Sequence, residues 1–142
     1  MKFNPENIIS GITEKDGIFY SGYKSDLFYP ESGNDTCFQV EENSFWFRHR
    51  NNCIVSVVKK YSADKLFLDI GGGNGFVGEA LEKEGIKTIL IEPGEQGCLN
   101  AKSRGISMVV CASLDEIKLN NDSVPASGLF DVIEHIENDQ EF

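Results

Sequence analysis

A glycine-rich segment that directly follows an apolar run is the feature that most constrains this chain. Residues 66–75 read Leu-Phe-Leu-Asp-Ile-Gly-Gly-Gly-Asn-Gly. The apolar run predicts a buried strand over Lys65–Ile70, and the residues after the glycines predict a helix over Phe76–Glu84. Glycines between a strand and a helix let the backbone turn sharply and approach a ligand. The first turn of the helix then offers unpaired N–H groups to that ligand.

The same alternation of strand and helix continues to the end of the chain. Further elements are predicted at Thr88–Ile91 (strand), Glu95–Arg104 (helix), Ile106–Cys111 (strand) and Val124–Phe130 (a weaker strand). This order is typical of βαβ units with right-handed crossovers. Residues 61–142 are therefore predicted to form an α/β domain with a Rossmann-like parallel sheet.

The first sixty residues differ in character from the rest. They are rich in aromatic residues and turn formers, and a helical period emerges only over Ser44–Tyr61. We expect residues 1–60 to form an irregular and partly helical N-terminal cap on the sheet domain.

Charge and composition limit the partners. The 142 residues carry 23 acidic and 13 basic side chains, a net charge of −10. This balance argues against nucleic acid or an anionic membrane as a partner. There is no run of apolar residues long enough for a membrane span and no signal peptide at the N-terminus, so a cytoplasmic location is expected.

The cysteines do not form a recognisable framework. They lie at positions 37, 53, 98 and 111 without a CxxC pair. A structural zinc site needs ligands paired at short spacing, so no metal site is predicted. The four residues are expected to be reduced thiols.

The glycine loop fits two ligand-binding patterns. Gly73, Gly75 and Gly78 satisfy the dinucleotide fingerprint GxGxxG. Alternatively, Asp69 and the glycines at 71, 73 and 75 satisfy DxGxGxG. The second pattern places Asp69 at the end of the strand, where a carboxylate suits a cofactor with an α-amino group and a sulfonium charge rather than a pyrophosphate. In either case Glu92, at the end of the next strand, can accept the hydroxyl groups of a ribose.

The DxGxGxG pattern resembles the first motif of class I S-adenosylmethionine-dependent methyltransferases. Two further segments support the resemblance. Gly128–Asp139 (GLFDVIEHIEND) is similar to the FDVLEHIxD stretch that follows strand four of that family, and Glu42–Asn51 (ENSFWFRHRN) is similar to an FWFxxRN segment that precedes the core in some members. Over residues 42–140 the chain looks like the small-molecule, ubiquinone-biosynthesis-type branch.

The resemblance implies a role for each matching residue. The methionine part of S-adenosylmethionine would be held by Asp69, Gly71, Gly73, Asn74 and Gly75. The other implied cofactor contacts are Glu92 (ribose), Pro93, Ser113 and Leu114 (adenine), and Phe130 and Asp131 (beside the methyl donor). The segment from Cys111 to Ser113 lacks the acidic residue that many members place at the adenine edge, so a backbone N–H or the Ser113 hydroxyl would replace it.

Arg50 and the pair Glu134 and His135 each have two open interpretations. Arg50 either pairs with the cofactor carboxylate or lies solvated on its helix, and Phe47 is a weaker cofactor contact. His135, with Glu134, either takes a proton from the acceptor as the catalytic base or only orients its loop. The expected reaction is methyl transfer to oxygen or carbon of a small-molecule acceptor, with S-adenosylhomocysteine as the product.

The resemblance also implies a larger sheet than this sequence supplies. Family members have seven strands in the order 3-2-1-4-5-7-6, and only strands one to four can be found here. The chain is therefore expected to be an N-terminal portion that carries the cofactor half-site. The fourth strand would leave an open edge through which a homodimer could form. A dinucleotide-binding domain of the NAD type and a non-catalytic scaffold remain as alternatives.

Overall fold

The computed structural model describes residues 7–22, 38–62 and 64–142. Of the cysteines, Cys37 lies outside these ranges, and the other three are free thiols. The regular elements are β1 (Ile9–Ser10), β2 (Ile12–Lys15), β3 (Ile18–Ser21), α1 (Phe45–Tyr61), β4 (Leu66–Ile70), α2 (Phe76–Lys83), β5 (Lys87–Glu92), α3 (Glu95–Ser103), β6 (Met108–Cys111), β7 (Lys118–Leu119) and β8 (Ser127–Leu129). Two short 3₁₀ helices span Leu114–Glu116 and Ile133–His135.

A mostly parallel sheet organises the described residues. Its strand order is β2-β3-β6-β5-β4-β8. The β4, β5, β6 and β8 strands are the four that the sequence predicts, and their order agrees with the expected 3-2-1-4. Each of these strands is parallel to its neighbours, and within the described residues β8 pairs on one side only, with β4. The predicted α/β class and Rossmann-like sheet are therefore confirmed.

The N-terminal segment extends this sheet, which the sequence analysis does not anticipate. β2 and β3 form an antiparallel hairpin, and β3 lies parallel to β6 at the edge of the sheet. The turn is Asp16–Gly17, and both residues have positive φ angles, of 52° and 76°. An Asp-Gly pair with this backbone suits the twist of a two-residue hairpin. Within the described residues, the segment expected to be only irregular and helical thus contributes strands as well as the predicted helix.

Helices α1, α2 and α3 pack on one face of the sheet. Val58 of α1, together with Val77 and Leu81 of α2, covers Phe67 of β4. α3 covers Leu90 and Val109 of the neighbouring strands. The opposite face is closed by residues around the small β1–β7 ladder. This packing fixes the carboxyl ends of β4, β5 and β6 at a common edge, which is where ligands bind in parallel α/β sheets.

None of the helices in the described ranges is both long enough and apolar enough to cross a lipid bilayer.

Candidate functional site

The glycine loop between β4 and α2 has a backbone that only glycine adopts easily. Gly71, Gly73 and Gly75 have φ angles of 69°, 53° and 77°. A Cβ atom at Gly75 would lie 2.9 Å from the Cβ of Ala101 in α3. The loop therefore lies directly against the next helix. Conformation favours glycine at all three positions, and space also requires it at Gly71 and Gly75, whereas a Cβ at Gly73 would meet nothing within 4 Å.

Glu92 anchors this loop from the adjacent strand. Its carboxylate accepts hydrogen bonds from the Gly73 N–H, at 3.0 Å, and from the Gly94 N–H, at 2.8 Å. Only 2% of the residue is exposed, and this burial raises the pKa of Glu92 although the two N–H groups oppose the rise. Since each carboxylate oxygen has more than one lone pair, Glu92 can hold the loop and still accept a ligand hydroxyl.

Asp69 carries a buried oxygen that lacks a partner. The residue is 1% exposed, and its Oδ2 atom has no hydrogen bond to any described residue. Burial raises the pKa of Asp69 to about 7; the Arg50 guanidinium opposes this rise and the Glu92 carboxylate adds to it. A buried acceptor without a donor is costly, so Asp69 is suited to a ligand that brings a positive charge or a donor.

Helix α1 faces the glycine loop. It begins after Ser44, whose hydroxyl accepts a long hydrogen bond of 3.5 Å from the Phe47 N–H. One turn later, Arg50 pairs with Asp131 at 2.5 Å, and its guanidinium lies 5.8 Å from the centroid of the Trp46 ring. Phe47 packs edge-on against Phe76 at the start of α2, with 6.4 Å between ring centroids. The same helix face thus carries a cation and an aromatic ring to the glycine loop.

These groups enclose a pocket of about 170 Å³. The sequence-predicted residues that line it are Asp69, Gly71, Gly73, Asn74, Phe130, Asp131, Phe47 and Arg50. It is also lined by Glu41, Gly72, Phe76 and Val77, none of which the sequence analysis singled out. The pocket therefore joins the glycine loop, the end of β8 and the inner face of α1.

A buried polar network supports one side of the pocket. Arg104, whose side chain is 4% exposed, contacts Glu41 at 3.0 Å, Glu79 at 2.8 Å and Glu42 at 3.6 Å. Its guanidinium also lies 4.6 Å from the Phe38 ring centroid. Glu79 also pairs with the exposed Lys83 at 2.7 Å, so the three carboxylates of this network exceed its cations by one negative charge beside the pocket.

This network continues into the glycine loop. Glu41 accepts a weak hydrogen bond of 3.4 Å from Asn74, and Asn74 accepts one of 2.9 Å from Asn100 in α3. Burial raises the pKa of Glu41, and Arg104 opposes the rise. Sequence reasoning missed Glu41 and Arg104 because their contacts join residues far apart in the chain.

The remaining predicted cofactor residues do not line this pocket. Gly75 packs against Ala101 of α3, and the half-buried Pro93 follows Glu92 at the carboxyl edge of the sheet. The Ser113 N–H donates to Glu116 at 3.0 Å in a capping box, and Leu114 packs against the sheet core. These positions lie after β5 and β6, so their role in adenine binding stays a prediction.

The predicted catalytic pair lies on the surface. Glu134 and His135 are exposed on the 3₁₀ helix Ile133–His135 and are not among the residues that line the pocket. Val132, just before them, packs over Gly71, where an added Cβ would lie 2.6 Å from a Val132 methyl group. This contact ties the segment to the glycine loop, and a catalytic role for the pair stays a prediction.

The comparison with solved structures supports this fold. No protein-family model matches this sequence, and no curated protein matches it either. A solved structure that matches is a SAM-dependent methyltransferase of Thermotoga maritima, described as a possible histamine N-methyltransferase. The two structures superpose with a TM-score of 0.55 at 20% identity, over 77% of this chain and 47% of the other. This chain thus has a fold of the class I methyltransferase type and spans about half the length of that relative.

Proposed function

We propose that this chain provides the S-adenosylmethionine site of a methyltransferase that acts on a small molecule. The observation that carries the proposal is the pairing of charges around the glycine loop. Asp69 presents an unpartnered buried oxygen, and Arg50 presents a guanidinium to the same pocket. An amino-acid end, with an ammonium and a carboxylate group, is complementary to these two side chains.

The charge of the pocket supports this cofactor over a dinucleotide. Its lining includes the carboxylates of Glu41, Asp69 and Asp131 and the guanidinium of Arg50. S-adenosylmethionine carries a sulfonium and an ammonium against one carboxylate, whereas a dinucleotide brings a pyrophosphate with two negative charges. The pyrophosphate would meet an excess of carboxylates at short range, which is unfavourable.

In this proposal the site has a methionine half and a nucleoside half. Asp69, Asn74 and the glycine loop hold the methionine end together with Arg50. The nucleoside end lies over Glu92, Pro93, Ser113 and Leu114, which follow the neighbouring strands. Phe130 and Asp131, at the end of β8, lie beside the position of the methyl group.

The chain's own residues would orient the reactants and exclude water. Bound S-adenosylmethionine supplies an activated methyl group, and transfer to the acceptor is an in-line displacement at carbon. Holding the two reactants in line is the main contribution expected from the protein. An oxygen nucleophile must also lose a proton, and we propose His135, oriented by Glu134, for that step. Closure of the segment that Val132 anchors would bring this pair to the pocket.

Calorimetric titration with S-adenosylhomocysteine, with NAD as a parallel ligand, tests the proposal. Arg50→Met should weaken binding about tenfold or more, because it removes a bidentate partner of the ligand carboxylate. Arg48→Met is the matched control, since Arg48 is exposed on the same helix and does not line the pocket. Binding of NAD alone would favour a dinucleotide site, and binding of neither ligand would favour a scaffold.

We also propose that the free edge of β8 mediates a homodimer. The described part of the chain places no second strand beside β8, and an open strand edge is a template for pairing. Sedimentation equilibrium at micromolar concentrations should give twice the mass of 15.8 kDa. A monomer under these conditions would contradict the proposal.

A further inference from the structure

Two cysteine side chains converge below the nucleoside half of the proposed site. Cys98 is fully buried in α3, and its thiol donates to the Glu92 carbonyl at 3.2 Å. Cys111 ends β6, and its sulfur lies 3.9 Å from the Pro93 carbonyl. Because the two carbonyls belong to consecutive residues, the two thiols approach the same short stretch of backbone from two different elements. They pack in one apolar cluster together with Tyr20 of β3.

The two thiols are not equivalent. The interaction between the two thiols lowers the pKa of Cys111, and the same interaction together with burial raises the pKa of Cys98. Glu92, Glu95 and Glu116 face Cys111 and work against the lowering. Cys111 is also the more exposed of the two, being half-buried. A half-buried thiol beside a fully buried one suits an attacking and a resolving cysteine.

We propose that Cys111 and Cys98 form a reversible intramolecular disulfide when the protein meets a hydroperoxide. The Cys111 thiolate attacks the peroxide, an S–O bond forms and the O–O bond breaks, and the leaving oxygen departs as hydroxide or alkoxide. The Cys98 sulfur then attacks Cys111, so that the S–O bond breaks and water leaves with the proton of Cys98. Two electrons pass from the two thiols to one peroxide, and a dithiol reductant reverses the reaction.

The disulfide would act on the proposed ligand site, and this part of the inference rests on the proposed function. In the reduced protein the Cys98 thiol donates a hydrogen bond to the Glu92 carbonyl. The Glu92 carboxylate in turn accepts hydrogen bonds from the N–H groups of Gly73 and Gly94. A bond to Cys111 redirects the Cys98 sulfur and removes its hydrogen bond. We therefore expect oxidation to loosen Glu92 and to weaken S-adenosylhomocysteine binding by about tenfold.

Mass spectrometry of the full chain tests the disulfide without any ligand. The protein is treated with hydrogen peroxide, alkylated under denaturing conditions and digested with trypsin. Cleavage after Lys102 and Arg104 separates the two cysteines into different peptides. The expected product is a cross-link between those peptides, with a loss of two hydrogens, that dithiothreitol reverses.

Variants distinguish this pair from the other thiols. Cys53→Ala should leave the cross-link unchanged, because Cys53 is exposed on α1. Cys98→Ala should stop the reaction at a Cys111 sulfenic acid that dimedone captures. Because this variant keeps Cys111, the test does not require a folded Cys111→Ser variant. Oxidation of Cys53 with Cys111 still reduced, or a Cys111 link to any other cysteine, would overturn the inference.

Binding measurements then separate the two proposals. If the reduced protein binds S-adenosylhomocysteine, equal affinity of the oxidised protein would refute the coupling to the site. If the reduced protein does not bind it, the proposed function fails, while the peptide map still decides whether the cysteines are a redox pair.

Discussion

The substitution Asp69→Asn should stabilise this protein while it weakens ligand binding. Asp69 is buried, and its Oδ2 atom has no partner among the described residues. Its pKa rises from 3.8 to about 7, which corresponds to about 4 kcal/mol of lost stability once the carboxylate is ionised. An asparagine has nearly the same shape and carries no charge, so it removes most of this cost.

The dependence on pH follows from the direction of the shift. Between pH 4 and pH 7 the folded chain keeps the Asp69 proton and the unfolded chain does not. Stability therefore falls as pH rises across this interval and is constant, with respect to this group, above it. The Asp69→Asn variant lacks this dependence of stability on pH. Its advantage over the wild type should grow by about 2–3 kcal/mol between pH 5 and pH 8.

Urea denaturation at pH 5, 6, 7 and 8 measures this difference. Asp64→Asn, at an exposed position just before β4, is the matched control and should show no such growth. A constant difference between Asp69→Asn and the wild type across the series would refute the reasoning. The ligand titration gives a second readout: S-adenosylmethionine should bind more weakly below pH 7, because its positive charge favours ionised Asp69.

Two further predictions concern folding. Arg104→Met should destabilise the protein by about 3 kcal/mol in urea denaturation, because it leaves the buried Glu41 carboxylate without its cation, whereas Glu79 keeps Lys83. Lys59→Met breaks an exposed ion pair and should cost less than about 1 kcal/mol; similar losses for both would contradict the burial argument. Gly75→Ala should lower the melting temperature far more than Gly85→Ala. Both glycines have φ near 78°, but an added Cβ collides with Ala101 only at Gly75; equal shifts would exclude that collision.

The elements of the sheet domain could be predicted because their signals are local. Each of β4, β5 and β6 is a short apolar run, and a glycine follows each of α2 and α3. The site residues on the loop and at the strand ends follow from the same topology, since parallel strands bring their carboxyl ends to one edge.

The N-terminal hairpin and the Arg104 network could not be predicted in the same way. β2 is exposed over most of its length, so it lacks an alternating apolar pattern. The local pattern that favours a hairpin is the Asp16–Gly17 pair. The segment around this pair is aromatic and has no regular apolar period that would predict two strands. Arg104 lies at the end of a helix, where a basic residue is common, and nothing local reveals its pairing with Glu41, which is 63 positions away.

Charge, rather than glycine spacing, separates the two candidate ligand classes at this site. The loop satisfies both glycine patterns, so its backbone alone does not decide between them. Asp69 and Glu92 are both buried at the ends of neighbouring strands, and burial raises the pKa of each. The two buried carboxyl groups therefore destabilise the folded protein, and a ligand that brings a positive charge or a hydrogen-bond donor offsets this loss when it binds. S-adenosylhomocysteine, which carries an ammonium group, should accordingly raise the melting temperature more than adenosine, which has none, at equal saturation, and the difference should shrink in Asp69→Asn.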